Sequence, residues 1–594
     1  MCQKRKIALS QIKEQIFDLN IHAIIIPSAD PHQSEYLPAE WKMREWISGF
    51  TGSAGTLVIT RDRAGLWTDS RYFLQAEEEL AGTGIELFRQ GLPNVPPIED
   101  FIVSHLNTGD VVSLNGRLWS HSQVKNLREK LKKAGLEVNT KLRIIEEVWS
   151  ANNRPTPSER EVFVHKLEYA CTDVNDKLSQ VRRKMSDLNV KEHLITTLDD
   201  IAWLYNLRGH DVEYNPVFLS YAVVKQDEAL FFIDSAKITN EVTAQLSNHN
   251  ITLRPYQAID KHLQDVEEPI LVNPDDCNDH LYQLIQPDLR VDGQSITRAL
   301  KAIKSSAEVA QIDSVMIKDG LALTEAFYHL YQKIGEITEA EFATVIAHSR
   351  SKKPDYFGES FPAIVGYQGN GAIVHYRPQK DKSAVIAPEG LLLCDSGGQY
   401  LNGTTDITRT IAVGPVTPAQ AVSYTRVLKG HIAIDQAIFP EGTTGSTLDP
   451  LARQYLWRNG QNYGHGTGHG VGYFLNVHEP PQGISPGSGS RATTQLVPGM
   501  LTSNEPGYYE RGSYGIRIEN LILCEQSHFE GYLKHRHLTL FPIDTSLIDL
   551  SLMSKEELDW VNTYHNLVLT KLLPHLDGPL ALWLEKSCRR IPVS

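Results

Sequence analysis

The chain has no run of apolar residues near the roughly 18 that a membrane-crossing helix needs, so a membrane partner is not expected. It has no basic run either. Lys and Arg total 58 against 72 Asp and Glu, a formal charge of −14. Nucleic acid is held through its phosphates by a cationic face, so a nucleic-acid partner is not expected. The acidic balance favours solubility. Cysteine is scarce: Cys2, Cys171, Cys277, Cys394, Cys524 and Cys588 are scattered and form no CxxC pair. That distribution fits a reducing compartment better than a disulfide framework. Met1–Leu19 is polar and charged, without the apolar core of a signal peptide. A cytoplasmic protein is expected.

What is present is enough chain for several cores. At about 150 residues per domain, 594 residues suggest three or four domains. A helical pattern, Ile7–Leu19, precedes an apolar strand at His22–Pro27, and Thr56–Ile59 and Val111–Leu114 also read as strands. Strands alternating with helices indicate an α/β domain over 1–153. The proline-containing stretch Ala151–Ser158 reads as a linker. A second segment, 154–303, repeats the theme: a helical run from Tyr169 to Leu188, then strands at Leu194–Thr197, Tyr221–Val224 and Leu230–Ile233. A third domain, 304–594, opens with the S-x-x-E capping-box spacing of Ser305 and Glu308. Val309, Ile312, Met316, Leu323, Phe327 and Leu330 then form a helical stripe. The spacing recurs at Ser554 and Glu557, before a stripe of Leu558, Val561, Tyr564, Val568 and Leu572 that reads as core or subunit contact.

The chemistry is expected between Gly371 and Glu519. In LLLCDSGGQYLNGTTDITRT, Asp395 ends an apolar strand and Asp406 lies on a threonine-rich segment that can return antiparallel. In NYGHGTGHGVGYFLNVHEPP stand His465, His469 and His478. The four-residue spacing of His465 and His469 is that of zinc-binding helices. Glycines at 464, 466, 468 and 470 would each cost a helix about 1 kcal/mol, so an extended or irregular segment is expected. If extended, positions 465, 467 and 469 share a face. The run lacks the Lys-Ser/Thr ending of a phosphate-binding loop. In LTSNEPGYYERGSYGIRIEN, Glu505 precedes a Pro-Gly turn, and Arg517 and Glu519 are two apart in the alternating strand IRIEN, pointing to one face. Four carboxylates with histidine and no thiolate suit hard divalent ions such as Mn²⁺. Two dications balance four carboxylates, which would otherwise repel and protonate.

At these residues the sequence resembles the pita-bread metallopeptidases, whose ligands run Asp, Asp, His, Glu, Glu. Asp395, Asp406, His469, Glu505 and Glu519 match in order and type, within CDSGGQY, DITRT, GTGHGVG, NEPGYY and GIRIEN. Within that family the sequence looks like the long three-domain Xaa-Pro aminopeptidases, on PSADPHQSEYLP, FTGSAGTLVIT, WTDSRYFLQA and GNGAIVHYRP. The resemblance implies α/β and α+β architecture: two creatinase-like domains (1–153 and 154–303) before a pita-bread catalytic domain (304–594) with a C-terminal appendage from about 530. It implies two metal ions, a homodimer whose candidate contact lies around Trp560 and Val568, and substrates with proline second. It casts His375, His465 and His478 as the histidines around the substrate and Arg71 as a peptide contact from the first domain. Arg517 stands behind the ligands. A bond to proline is a tertiary amide without N–H, so its cleavage needs a ring-shaped pocket and strong carbonyl polarisation. His375 and His478 are expected to donate hydrogen bonds to the developing oxyanion and the substrate backbone, and Glu505 to pass a proton to the leaving nitrogen. The alternative is a prolidase restricted to dipeptides.

Overall fold

The structure, a computed structural model, describes residues 2–592. It divides into two compact units, Met1–Leu167 with Thr172–Arg298, and Glu168–Cys171 with Ala299–Ser594.

The first unit carries two six-stranded mixed sheets built on one plan. In the first sheet, Ala23–Ile26 runs antiparallel to Thr56–Thr60 and parallel to Val111–Ser113. Thr56–Thr60 pairs antiparallel with Ala64–Thr68, whose other neighbour is the parallel strand Glu86–Arg89, and Glu137–Asn139 closes the far edge. In the second sheet, Glu192–Ile195 takes the central place. Tyr221–Lys225, Ala229–Ile233 and Ile251–Pro255 follow on one side, Ile270–Val272 and Arg290–Asp292 on the other, with the same sequence of parallel and antiparallel neighbours. The two-residue period of a strand splits its side chains between two cores. Ile24, Ile26, Leu57 and Ile59 join one, and Ala23, Ile25 and Val58 the other. Both faces of this sheet are therefore covered, which is why the strands read as unbroken apolar runs.

The helix expected from Tyr169 to Leu188 is two. Leu167–Ala170 stops at Cys171, whose φ of 61 no helix accepts, and Val174–Asp187 starts afresh behind Asp173, whose side chain accepts from the Asn175 N–H.

The second unit opens with the helix Ser306–Lys333, capped by the reciprocal Ser305–Glu308 box. Ile312, Met316, Leu323, Phe327 and Leu330 are buried along it, as their spacing predicts. Strand Leu391–Ser396 lies between Ile364–Tyr367 and Ile407–Ala412, antiparallel to both. A four-stranded sheet orders Ile438–Pro440, Tyr532–His537, Asn520–Gln526 and Leu501–Asn504. The C-terminal helix Lys555–Leu572 has the expected Ser554–Glu557 box. Its stripe packs into the same cluster as Tyr424, Leu428, Leu501 and Leu521. Trp560, only 7% exposed, and the fully buried Val568 are thus core of their own chain, one of the two readings open for this stripe. Among the described residues no helix is long and apolar enough to cross a membrane. The five cysteines with described side chains form no disulfide with one another; the side chain of Cys2 lies outside the described residues.

Candidate metal centre and its surroundings

Each acid of the expected set is delivered by the end of a strand. In the antiparallel pair Leu391–Ser396 and Ile407–Ala412, Asp395 lies opposite Thr408, and Asp406 immediately precedes the returning strand. Both carboxylates therefore reach one end of the pair, as the hairpin reading anticipates. Glu505 follows Leu501–Asn504, and its N–H donates to the Thr467 carbonyl at 2.7 Å. That bond ties it to the glycine-rich segment carrying His469. The strand there is only Gly468–His469, paired with Gly483–Ile484. A Cβ on Gly468 would lie 1.9 Å from the Ser503 carbonyl oxygen, so glycine is what lets this segment lie against the strand that leads to Glu505.

The common face expected for 465, 467 and 469 is not formed, because the chain bends at Gly464, His465 and Thr467. The Thr467 hydroxyl turns to Asp449 at 2.6 Å, and His465 turns to Tyr509 at 2.9 Å. The expected single strand IRIEN is also broken. Tyr514–Arg517 pairs in a hairpin with Gly507–Glu510, whereas Asn520–Gln526 belongs to the four-stranded sheet. Glu519 occupies the link, where its N–H donates to the Thr408 carbonyl at 3.1 Å.

His469 faces the acids. Its Nε2 is 3.4 Å from Asp406 Oδ2 and 3.6 Å from Glu505 Oε1. Its Nδ1 lies 3.0 Å from the Gly470 carbonyl, which can only accept. A proton on Nδ1 serves that carbonyl, and Nε2 is the ring nitrogen that faces the two carboxylates. Ligand atoms of Asp406, His469 and Glu519 all lie within 4.8 Å of one another. Glu519 accepts from the Thr408 hydroxyl at 2.7 Å. Asp395 is met by Arg517 at 2.5 Å through one oxygen, while its buried Oδ1 has no hydrogen-bond partner.

The electrostatics follow from this crowding. Burial, then the charges of Asp395 and Glu505, pushes the Asp406 carboxyl well above the usual carboxylate range. Burial, then Asp406 and Glu505, does the same to Glu519. One guanidinium among four acids leaves the buried Asp395 Oδ1 without a hydrogen-bond partner, while His469 Nε2 faces Asp406 and Glu505. Oxygen donors with one imidazole and no thiolate fit hard divalent cations. With Nδ1 held at the Gly470 carbonyl, Nε2 is the nitrogen that a metal would take.

Around the acids, the ring of His478 lies 4.2 Å from that of His469 at 83°. His375 is half-buried just after Val374, whose carbonyl is 3.5 Å from Arg517 Nη2. His465 is one step further out: Tyr509 joins it to Arg517, accepting from Nη1 at 2.6 Å. Burial pushes the Tyr509 phenol up to about 12, so it stays protonated. Arg71 belongs to the first unit, where its guanidinium pairs with Asp69 through Nε at 2.8 Å and Nη2 at 2.7 Å.

Three residues that hold the centre escape the sequence reading: Thr408, which donates to Glu519 and accepts from Arg517 at 3.2 Å; Tyr509; and Ser503, whose hydroxyl accepts the His469 N–H at 3.0 Å. Thr408 had a signal, since it lies two residues after Asp406 at the start of a strand. Tyr509 and Ser503 had none.

Family comparisons agree with this architecture. Residues 9–147 and 153–308 each match a creatinase/prolidase N-terminal domain, 308–526 match metallopeptidase family M24, and 531–591 match the C-terminal region of peptidase M24. A probable Xaa-Pro aminopeptidase P of Laccaria bicolor is 39% identical over 602 residues, covering 98% of this chain and 92% of its own length. Aminopeptidase P2 of Arabidopsis thaliana is 39% identical and covers 96% and 86%. Among solved structures, X-prolyl aminopeptidase from Caenorhabditis elegans, described as a cytosolic enzyme with a di-nuclear active site, superposes with a TM-score of 0.94 at 32% identity over 100% of both chains.

Proposed function

The chain belongs to the aminopeptidase P family of M24 metallopeptidases, and from that premise we propose that Asp395, Asp406, His469, Glu505 and Glu519 hold two divalent metal ions. The protein is a metalloaminopeptidase that hydrolyses the bond between an N-terminal residue and a penultimate proline. Two creatinase-type domains precede its pita-bread catalytic domain. The observation that carries the ligand assignment is the meeting of Asp406, His469 and Glu519, whose ligand atoms all lie within 4.8 Å of one another, with Glu505 3.6 Å from His469 Nε2. The oxygen-rich set favours Mn²⁺.

When bound, such a metal pair polarises the scissile carbonyl and supplies a nucleophilic water of lowered pKa. The remaining work falls to this chain's side chains. Glu505, at 19% side-chain exposure more open than Asp395 or Asp406, takes the proton of the attacking water and passes it to the leaving proline nitrogen. His375 and His478 donate to the oxyanion and to the substrate backbone as charge develops. Arg517 neutralises Asp395 and holds Tyr509, which in turn orients His465. The protein works as a cytosolic homodimer through its catalytic domain, with a solution mass near twice 66.7 kDa.

Hydrolysis of an Xaa-Pro-Xaa tripeptide by chelated and Mn²⁺-reloaded enzyme tests the reading. Release of the first residue only after reloading is expected. Cleavage of Xaa-Pro dipeptides alone would make the enzyme a prolidase, and undiminished activity after complete chelation would remove the metals from the mechanism.

A further inference from the structure

Glu339 is fully buried, yet among the described residues no Lys, Arg or His forms an ion pair with it. Its carboxylate is satisfied instead by neutral donors from one stretch of chain. Oε1 accepts the Tyr367 N–H at 2.7 Å and the Asn370 side-chain amide at 2.9 Å; Oε2 accepts the Tyr376 hydroxyl at 2.8 Å and the Ala384 N–H at 3.0 Å. Asn370 also donates to the Tyr376 hydroxyl at 3.1 Å. Glu339 is the first residue of helix Glu339–Ser351, where unpaired N–H groups favour an anion. The segment it gathers, 367–384, carries His375.

That segment is held at further points near the histidine. Gly371 presses on Gly515 so closely that a Cβ on Gly515 would lie 1.8 Å from the Gly371 carbonyl oxygen. The Val374 carbonyl faces Arg517, and the Tyr376 N–H donates to the Ile373 carbonyl at 2.9 Å. His375 thus has one chain neighbour against the Arg517 side of the metal centre and the other anchored on Glu339.

We propose that Glu339 is a positioning residue for the peptidase reaction, its carboxylate clamping segment 367–384 so that His375 is presented at a fixed place. The proposal rests on the reading of His375 as a group acting on the substrate. A glutamine at 339 keeps the shape but turns an N–H₂ group toward donors, losing half of the clamp. Tyr376→Phe removes a single donor and leaves Glu339 its other three.

The test is a mutant cycle on the metal-loaded enzyme with an Xaa-Pro-Xaa tripeptide, using Glu339→Gln, Tyr376→Phe, His375→Ala and the pairwise combinations with His375→Ala. Metal content and thermal midpoint are read for each. Glu339→Gln is expected to lower kcat by about 10–100-fold, the usual cost of losing an outer orienting partner, with KM little changed and both metals retained. Tyr376→Phe is expected to lower kcat less. Combined with His375→Ala, neither causes a further loss, because both act through the same side chain. A merely structural role gives the opposite result, losses that multiply in the double variants. Multiplying losses, or normal kcat in Glu339→Gln while His375→Ala is impaired, overturn this proposal alone. Normal turnover in His375→Ala overturns the reading of His375 and the proposal with it. If Glu339→Gln does not fold, Tyr376→Phe and its combination with His375→Ala decide by the same rule.

Discussion

Two groups of buried acids share the second unit, and they are built in opposite ways. Glu479 lies between Lys301, 3.1 Å away, and Lys304, with all three side chains at 1% exposure or less. Asp319 meets Arg350 at 2.8 Å, and Asp435 accepts from Trp560 at 2.7 Å with His537 at 3.2 Å. These acids carry their compensation with them. Asp395, Asp406, Glu505 and Glu519 instead face one another, with Arg517 as their one cation among the described residues. A fold places charges of the first kind wherever geometry allows. It tolerates the second kind only where something outside the chain completes the balance. Compensation within the chain marks architecture, and its lack marks the place of chemistry.

Single substitutions break the comparison most directly. Asp406→Ala should abolish turnover and lose bound metal together, read by metal content per chain and tripeptide hydrolysis. In chelated protein it should leave the thermal midpoint no lower than wild type, because it removes one of several repelling charges. Glu479→Gln should do the reverse. It removes the acid that Lys304 meets at full burial and should cost about 3–5 kcal/mol in denaturant unfolding, with the metal site still filled in the folded fraction. A Glu479→Gln protein as stable as wild type would erase the distinction.

Within the catalytic group, effects should shrink with distance from the reacting atoms. His375→Ala should keep both metals and its fold while lowering turnover by roughly 10²–10³-fold, the cost of one oxyanion donor. Loss of metal in that variant would move His375 into the ligand set. Thr408→Val, which touches Glu519 and Arg517 but is no ligand, should weaken metal affinity by about 10–100-fold, measured by competition with a chelator.

The sequence made the uncompensated group easier to read than the compensated one. Asp395, Asp406, His469, Glu505 and Glu519 stand in short motifs whose order and type are informative. The capping boxes at Ser305 and Ser554 are equally local. Glu479 with Lys301, or Asp319 with Arg350, joins residues far apart in the chain, and no periodicity announces such a pair. Glu339 is hidden for the same reason, since its partners are backbone amides and a hydroxyl of a distant loop. The break at Cys171 was missed because apolar spacing continues across it. The split of IRIEN was missed because alternation cannot tell one strand from two meeting at Glu519. Trp560 shows the limit of a helical stripe: its period says that a face is covered, not what covers it.

The smallest effect expected is on pH, and its sign separates the two groups. Burial alone would raise Asp435, but the hydrogen bond and charge of His537, with Trp560, outweigh it and hold the carboxyl below its usual range. A group with a depressed folded pKa contributes stability above its unfolded value and loses it as pH falls through the folded one. Asp435 therefore makes the protein acid-sensitive, and Asp435→Asn should flatten the stability curve at and below pH about 4, the ordinary titration range of aspartate. In chelated protein Asp406 and Glu519 do the opposite. Burial, and then their acidic neighbours, raises them, so the folded state binds more protons than the unfolded chain in the window above about pH 4. Stability there falls as pH rises toward the raised values. Metal removes that slope by taking the protons' place. Thermal midpoints of chelated and Mn²⁺-loaded enzyme, measured from pH 4 to 8, should therefore diverge as pH increases. Curves that stay parallel would show that these acids are not the ones the metal relieves.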